Sequence, residues 1–88
     1  MPYISKVYFI DENTMLLHYY PTEEDYDNDE WIAIDLIEKR VERFKDFEDA
    51  LKFLLNAQEI LDIKETDDGL IVKFKNKEGE VVEIELTE

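Results

Sequence analysis

The stretch Leu70–Leu86, LIVKFKNKEGEVVEIEL, decides the fold class of this 88-residue chain. Apolar residues alternate with charged ones on both sides of a polar centre, which is typical of two half-buried strands joined by a turn. Pairing Phe74 with Val82 aligns the apolar faces of the two strands. This register leaves Lys77-Glu78-Gly79 as a three-residue loop with glycine at the left-handed position, a common hairpin type. The stretch therefore predicts an antiparallel β-hairpin.

The N-terminal quarter predicts a second hairpin. Residues 3–10 and 15–20 are β-rich runs separated by a polar break, and a turn at Glu12-Asn13 pairs Phe9 with Leu16. Apolar side chains then lie on both faces of the pair. This pattern indicates central strands or a strand pair that is covered on both sides.

Two further strands are indicated by apolar residues with a period of two. They contain Ile32, Ile34 and Leu36 within residues 31–36, and Leu61 and Ile63 before a turn at residues 66–69.

Residues 37–58 allow two interpretations. Apolar residues at intervals of three and four fit one long helix over residues 37–58. Alternatively, the chain turns after Ile37, forms a short strand over Val41–Lys45, and begins a helix after Asp46, which as an N-cap would stabilise that helix by about 1 kcal/mol. We favour the second interpretation. The predicted fold is a single α+β domain over residues 1–88, with six or seven antiparallel, hairpin-rich strands and one helix of about residues 47–57 packed on the sheet.

The composition excludes several classes of function. There are 24 acidic and 10 basic residues, which give a formal net charge of −14. Direct binding to nucleic-acid phosphates or to an anionic membrane needs clustered Lys and Arg, so neither is expected. The chain has no cysteine, no apolar run long enough to span a bilayer, and no secretory signal at its start. We therefore expect a cytoplasmic protein.

Catalytic chemistry is not indicated. His18 is the only histidine, the only glycines are Gly69 and Gly79, and no nucleophile or phosphate-binding motif occurs. Asp25, Asp27 and Asp29 match the first ligand positions of a calcium loop, but Glu30 stands where the loop needs glycine and Leu36 where it needs a bidentate Glu. We predict no enzyme activity, no catalytic residues, no cofactor and no metal site.

The excess negative charge is concentrated in two blocks. Residues 23–30 contain six acidic residues and no basic ones, and residues 60–88 contain nine acidic and four basic ones. Acidic side chains beside aromatic ones favour a protein interface. The predicted partner-binding residues are Glu23, Glu24, Asp25, Tyr26, Asp27, Asp29, Glu30 and Trp31. Whether the two blocks share one face is left open.

The functional hypothesis is a small acidic interaction module. It would act as a stoichiometric inhibitor or neutraliser of a basic, nucleic-acid-handling protein, and its composition resembles that of phage and viral nucleic-acid mimics. The alternative is a non-catalytic structural or accessory domain whose acidity serves solubility. Apolar and aromatic strand surface leaves a homodimer open in that case.

Overall fold

The computed structural model describes all 88 residues and shows seven antiparallel strands in one curled sheet, with one helix packed on it. This confirms the predicted α+β fold. The strands are β1 Tyr3–Asp11, β2 Thr14–Tyr20, β3 Glu30–Asp35, β4 Arg40–Phe44, β5 Ala57–Thr66, β6 Gly69–Asn76 and β7 Val81–Thr87. The helix α1 spans Phe47–Leu55, and a short 3-10 helix spans Tyr26–Asn28. None of the helices has the length and hydrophobicity needed to cross a bilayer.

The sheet consists of two meanders, β1–β4 and β5–β7, that meet along β1 and β7. Its strand order is β4-β3-β2-β1-β7-β6-β5. Phe9 and Thr87 are the only residues paired across this seam, so the sheet can curl there. Helix α1 lies in the resulting concavity and contacts strands of both meanders. Leu51 of the helix, Leu16 of the first meander, and Val72 and Leu86 of the second are fully buried.

The helix boundaries follow from local capping. The carboxylate of Asp46 accepts the backbone N–H of Asp49 at 3.3 Å, as expected for an N-cap. Asn56 adopts a left-handed conformation with φ 52° and ends the helix two residues before the predicted end. The long helix over 37–58 is wrong, because Arg40–Phe44 pairs with β3.

Two β-bulges change the predicted side-chain directions. The first hairpin turns at Glu12-Asn13 as predicted, but a register shift at Ile10 pairs Phe9 with Met15 instead of Leu16. Leu16 is paired with Tyr8, and both face the helix. Because side chains alternate between faces, a one-residue shift reverses the orientation of every residue beyond it.

The second meander follows its prediction more closely. Phe74 is paired with Val82, and Gly79 has φ 83° in the predicted loop. A register shift between Ile60 and Asp62 leaves Leu61 41% exposed, so the expectation that Leu61 shares a face with Ile63 is wrong.

Gly69 is predicted to be essential for the close approach of β6 to β7. A Cβ atom built at Gly69 would lie 1.9 Å from the carbonyl oxygen of Leu86, so the two strands would have to separate. We expect Gly69→Ala to lower the free energy of unfolding by at least about 2 kcal/mol, measured by urea denaturation. Gly79→Ala is the matched control, because a Cβ there meets no atom within 4 Å and only the left-handed backbone costs about 1 kcal/mol. Equal losses in the two variants would contradict this assignment.

Candidate partner-binding site

The acidic loop, residues 22–29, connects β2 to β3 at the end of the sheet where β1 begins. One side-chain hydrogen bond ties this loop to the sheet: Asp29 Oδ2 lies 2.7 Å from Nε2 of His18 on β2. The hydrogen bond from His18 holds the pKa of Asp29 below its ordinary value. The loop is therefore held at its C-terminal end by a partly buried hydrogen bond.

A continuous row of aromatic rings leads from the acidic loop across the concave face. Tyr26 of the loop contacts Tyr20 edge-on at 5.7 Å between centroids. Tyr20 lies 4.8 Å from His18, and His18 stacks on Trp31 at 4.1 Å. His18 and Tyr20 share a strand face because they are two residues apart. His18 thus both orients Asp29 and supports the ring of Trp31.

The structure divides the eight predicted partner-binding residues into two groups. The first group is exposed to solvent and consists of Glu23, Glu24, Tyr26 and Asp27. The second group is engaged within the protein and consists of Asp25, Asp29, Glu30 and Trp31. All eight lie between residues 23 and 31. The carboxylates of the second group are engaged in contacts within the protein, whereas Trp31 also lines an open cavity.

An open cavity of about 320 Å³, here called the aromatic slot, lies between the two meanders. Its lining residues are Tyr8, Trp31, Phe47, Ile63, Glu65 and Leu70. The ring of Phe47 lies 4.6 Å from that of Trp31 and 6.2 Å from that of Tyr8, inclined at 61° to both. The three rings form apolar walls, and Glu65 is the only charged lining residue.

The aromatic slot is next to part of the second acidic block. Glu65 and Leu70, which line the slot, are paired at the base of the β5–β6 turn, and this turn carries Asp67 and Asp68. The first block reaches the slot only through Trp31, because Glu30 points to the opposite side of the sheet. The carboxylates beside the slot therefore come from the second block.

The rest of the second block lies elsewhere. Glu78 and Glu80 belong to the β6–β7 turn at the opposite end of these strands. Glu83 and Glu85 are exposed and alternate with the inward-facing residues of β7. The second block is thus spread over both ends and the outer side of the second meander and does not form one uniform face.

Lys6, the basic residue next to the slot ring of Tyr8, is already paired. Lys6 Nζ lies 5.6 Å from the ring centroid of Tyr8 and 3.1 Å from a carboxylate oxygen of Glu88. This contact with Glu88 raises the pKa of Lys6. The carboxylate of Glu65 therefore has no basic partner in the slot. Lys6, at one edge of the slot, is neutralised by Glu88.

No group of three or more His, Asp or Glu side chains converges in a way that could hold a metal ion. Comparisons of the chain with family models, with curated proteins and with solved structures return no significant match.

Sequence reasoning did not identify Tyr8, Phe47 and Glu65 as site residues. They come from β1, α1 and β5 and are brought together only by the curl of the sheet. Only Glu65 carried a local signal of a site. It is an acidic residue on the inward face of β5, to which the apolar Ile60 and Ile63 also point.

The hydrogen bond between His18 and the carboxylate of Asp29 predicts a specific pH dependence. Because the folded-state pKa of Asp29 is depressed, its contribution to stability is present above the unfolded pKa of about 3.9 and is lost as the pH falls through the folded-state pKa. We expect Asp29→Asn to lower the free energy of unfolding by about 1 kcal/mol at pH 7, with a smaller deficit at pH 3. Urea denaturation at both pH values measures the difference. Asp27→Asn, an exposed site with the same charge change, should show no such deficit at pH 7, and identical behaviour of the two variants would refute the role of Asp29.

Proposed function

We propose that the protein is a non-catalytic binding module for a basic protein partner, and that the aromatic slot receives a Lys or Arg side chain of that partner. The observation that carries this proposal is the composition of the slot. Three aromatic rings offer apolar and cation–π contacts, and one carboxylate stands beside them. A long basic side chain places its methylene stem against apolar walls and its charged group at a polar rim.

The distribution of charge supports the same type of partner. A net charge of −14 attracts a basic surface over long range and raises the rate of association. Beside the slot, Glu65 and the exposed Asp67 and Asp68 of the adjoining β5–β6 turn supply local negative charge. Long-range attraction and local acceptance of a cation then act on the same site.

The partner class that best fits this site is a nucleic-acid-handling protein of the cytoplasm. Its groove is lined by Lys and Arg because it neutralises phosphates. Carboxylates on an anchored loop compete for the same groove, so the module acts as a stoichiometric inhibitor that mimics a nucleic acid. Tyr26, 65% exposed beside these carboxylates, supplies an aromatic contact of the kind that interfaces favour.

Binding of a cationic side chain in the slot can be tested with a tetra-arginine amide peptide. Trp31 is the only tryptophan and lines the slot, so its fluorescence reports directly on occupancy. We expect saturable change in Trp31 fluorescence on titration and a dissociation constant that rises with added salt. Glu65→Gln should raise the dissociation constant about 3- to 10-fold, because it removes one charge-assisted contact.

Glu83→Gln is the matched control, since it removes the same charge from an exposed position on the other face of the sheet. It should change the dissociation constant less than twofold. Equal effects of the two substitutions would show that the peptide senses only net charge. A saturating peptide that leaves the fluorescence of Trp31 unchanged would exclude the slot.

A further inference from the structure

The first meander has an apolar face that nothing in the chain covers. Cross-strand partners share a face, and three rows of partners point away from α1. We call this the convex face, and its apolar residues are Ile4, Val7, Phe9, Met15, Leu17, Tyr19, Ile32, Ile34 and Val41. None of these belongs to the buried core or packs against it. Ile32 and Ile34 of β3 thus point outward, while Ala33 and Trp31 point to the concave side.

The convex face is electrically neutral in a strongly acidic protein. Its only charged residues are Glu30 and Arg43, whose side chains pair at 3.5 Å. By contrast, the same side of the second meander is charged, as its residues Asp62, Lys64, Lys73, Lys75, Glu83 and Glu85 show. These six residues balance in sign, so the two surfaces differ in their number of charged side chains and not in net charge. The scarcity of charged side chains marks the convex face as a surface made for contact.

The dimensions of the convex face suit a sheet-to-sheet contact. Four strands, each with about five residues, span about 19 Å by 17 Å, or roughly 300 Å² in projection. Leu36 and Ile37, exposed by 54% and 68%, extend the apolar surface at the β3–β4 turn. With this rim, the face approaches the roughly 500 Å² per partner that the smallest specific interfaces bury.

We propose that the convex face binds the convex face of a second copy of this chain, forming a two-fold symmetric β-sandwich. A two-fold axis brings the same apolar strands of each copy together, and sheets packed face to face lie about 10 Å apart. The charge pattern selects a second copy. Two copies repel each other where their acidic surfaces face each other. On the convex face the charges of Glu30 and Arg43 cancel, so two copies can meet there without opposing net charge. The dimer leaves the aromatic slot open, because the slot lies on the concave side.

The dimer and the basic-partner complex respond to salt in opposite directions. Salt screens the repulsion between two acidic copies and favours the dimer. The same screening weakens the attraction between the acidic loop and a basic partner. Failure of one proposal is therefore distinguishable from failure of the other.

The oligomeric state is measured by sedimentation equilibrium of the full chain at micromolar to submillimolar concentration, in low and in high salt. We expect a reversible monomer–dimer equilibrium with a higher dimer fraction in high salt. Ile34→Lys, at the centre of the face, should raise the dimer dissociation constant more than about 10-fold. Ile71→Lys is the matched control, because Ile71 occupies the same side of the second meander outside the convex face, and it should leave the constant unchanged.

A second experiment uses the absence of cysteine from the chain. Ile32→Cys, a substitution that keeps the position apolar, should form an intermolecular disulfide on mild oxidation faster than Ile71→Cys does. A wild-type protein that stays monomeric at all concentrations and salt levels would overturn the proposal and assign the face to a different protein. Equal effects of lysine at positions 34 and 71 in folded variants would overturn it as well.

Discussion

The packing of α1 into the concave side of the sheet is the contact on which the rest of the structure depends. The two meanders share one residue pair at the seam between β1 and β7, so backbone hydrogen bonding alone holds them weakly together. Leu51 and Ala50 of the helix are fully buried, and the helix contacts β2, β3, β4 and β5. The helix therefore both forms the core and determines the curl that creates the aromatic slot.

Helix α1 covers only the concave side of the sheet, so the two sides of the sheet differ in their chemistry. The concave side holds the core, the aromatic row and the slot, with carboxylates at its margin. The convex face of the first meander holds a neutral apolar surface of comparable chemistry but without a cover. Charge follows the same division, since Glu65 lines the slot and Asp67 and Asp68 lie in the adjoining turn, whereas Glu30 is the only acidic residue of the convex face. The two proposed contacts thus use opposite sides of a single sheet.

Local sequence patterns predicted the elements that depend on local physics. The hairpin of residues 70–86 followed from alternation and the position of Gly79, and the start of the helix followed from Asp46 as an N-cap. The bulges near Ile10 and Leu61 could not be predicted, because a single extra residue in a strand leaves no mark on composition. The bulge at Ile10 decides which of Phe9 and Tyr8 faces the core, and the bulge at Leu61 turns that side chain away from Ile63.

The sequence by itself determined the strand-rich α+β class, the net charge of −14 and the location of the densest acidic segment at residues 23–30. The tertiary structure decided which of those acidic residues are free, since Asp29 is held by His18 and Glu30 by Arg43. It also decided that Tyr8, Phe47 and Glu65 line one slot, and that Ile32 and Ile34 point outward. The physical reason is that these relations join distant segments. They depend on sheet curl and register, which are set by the packing of α1 and by the bulges.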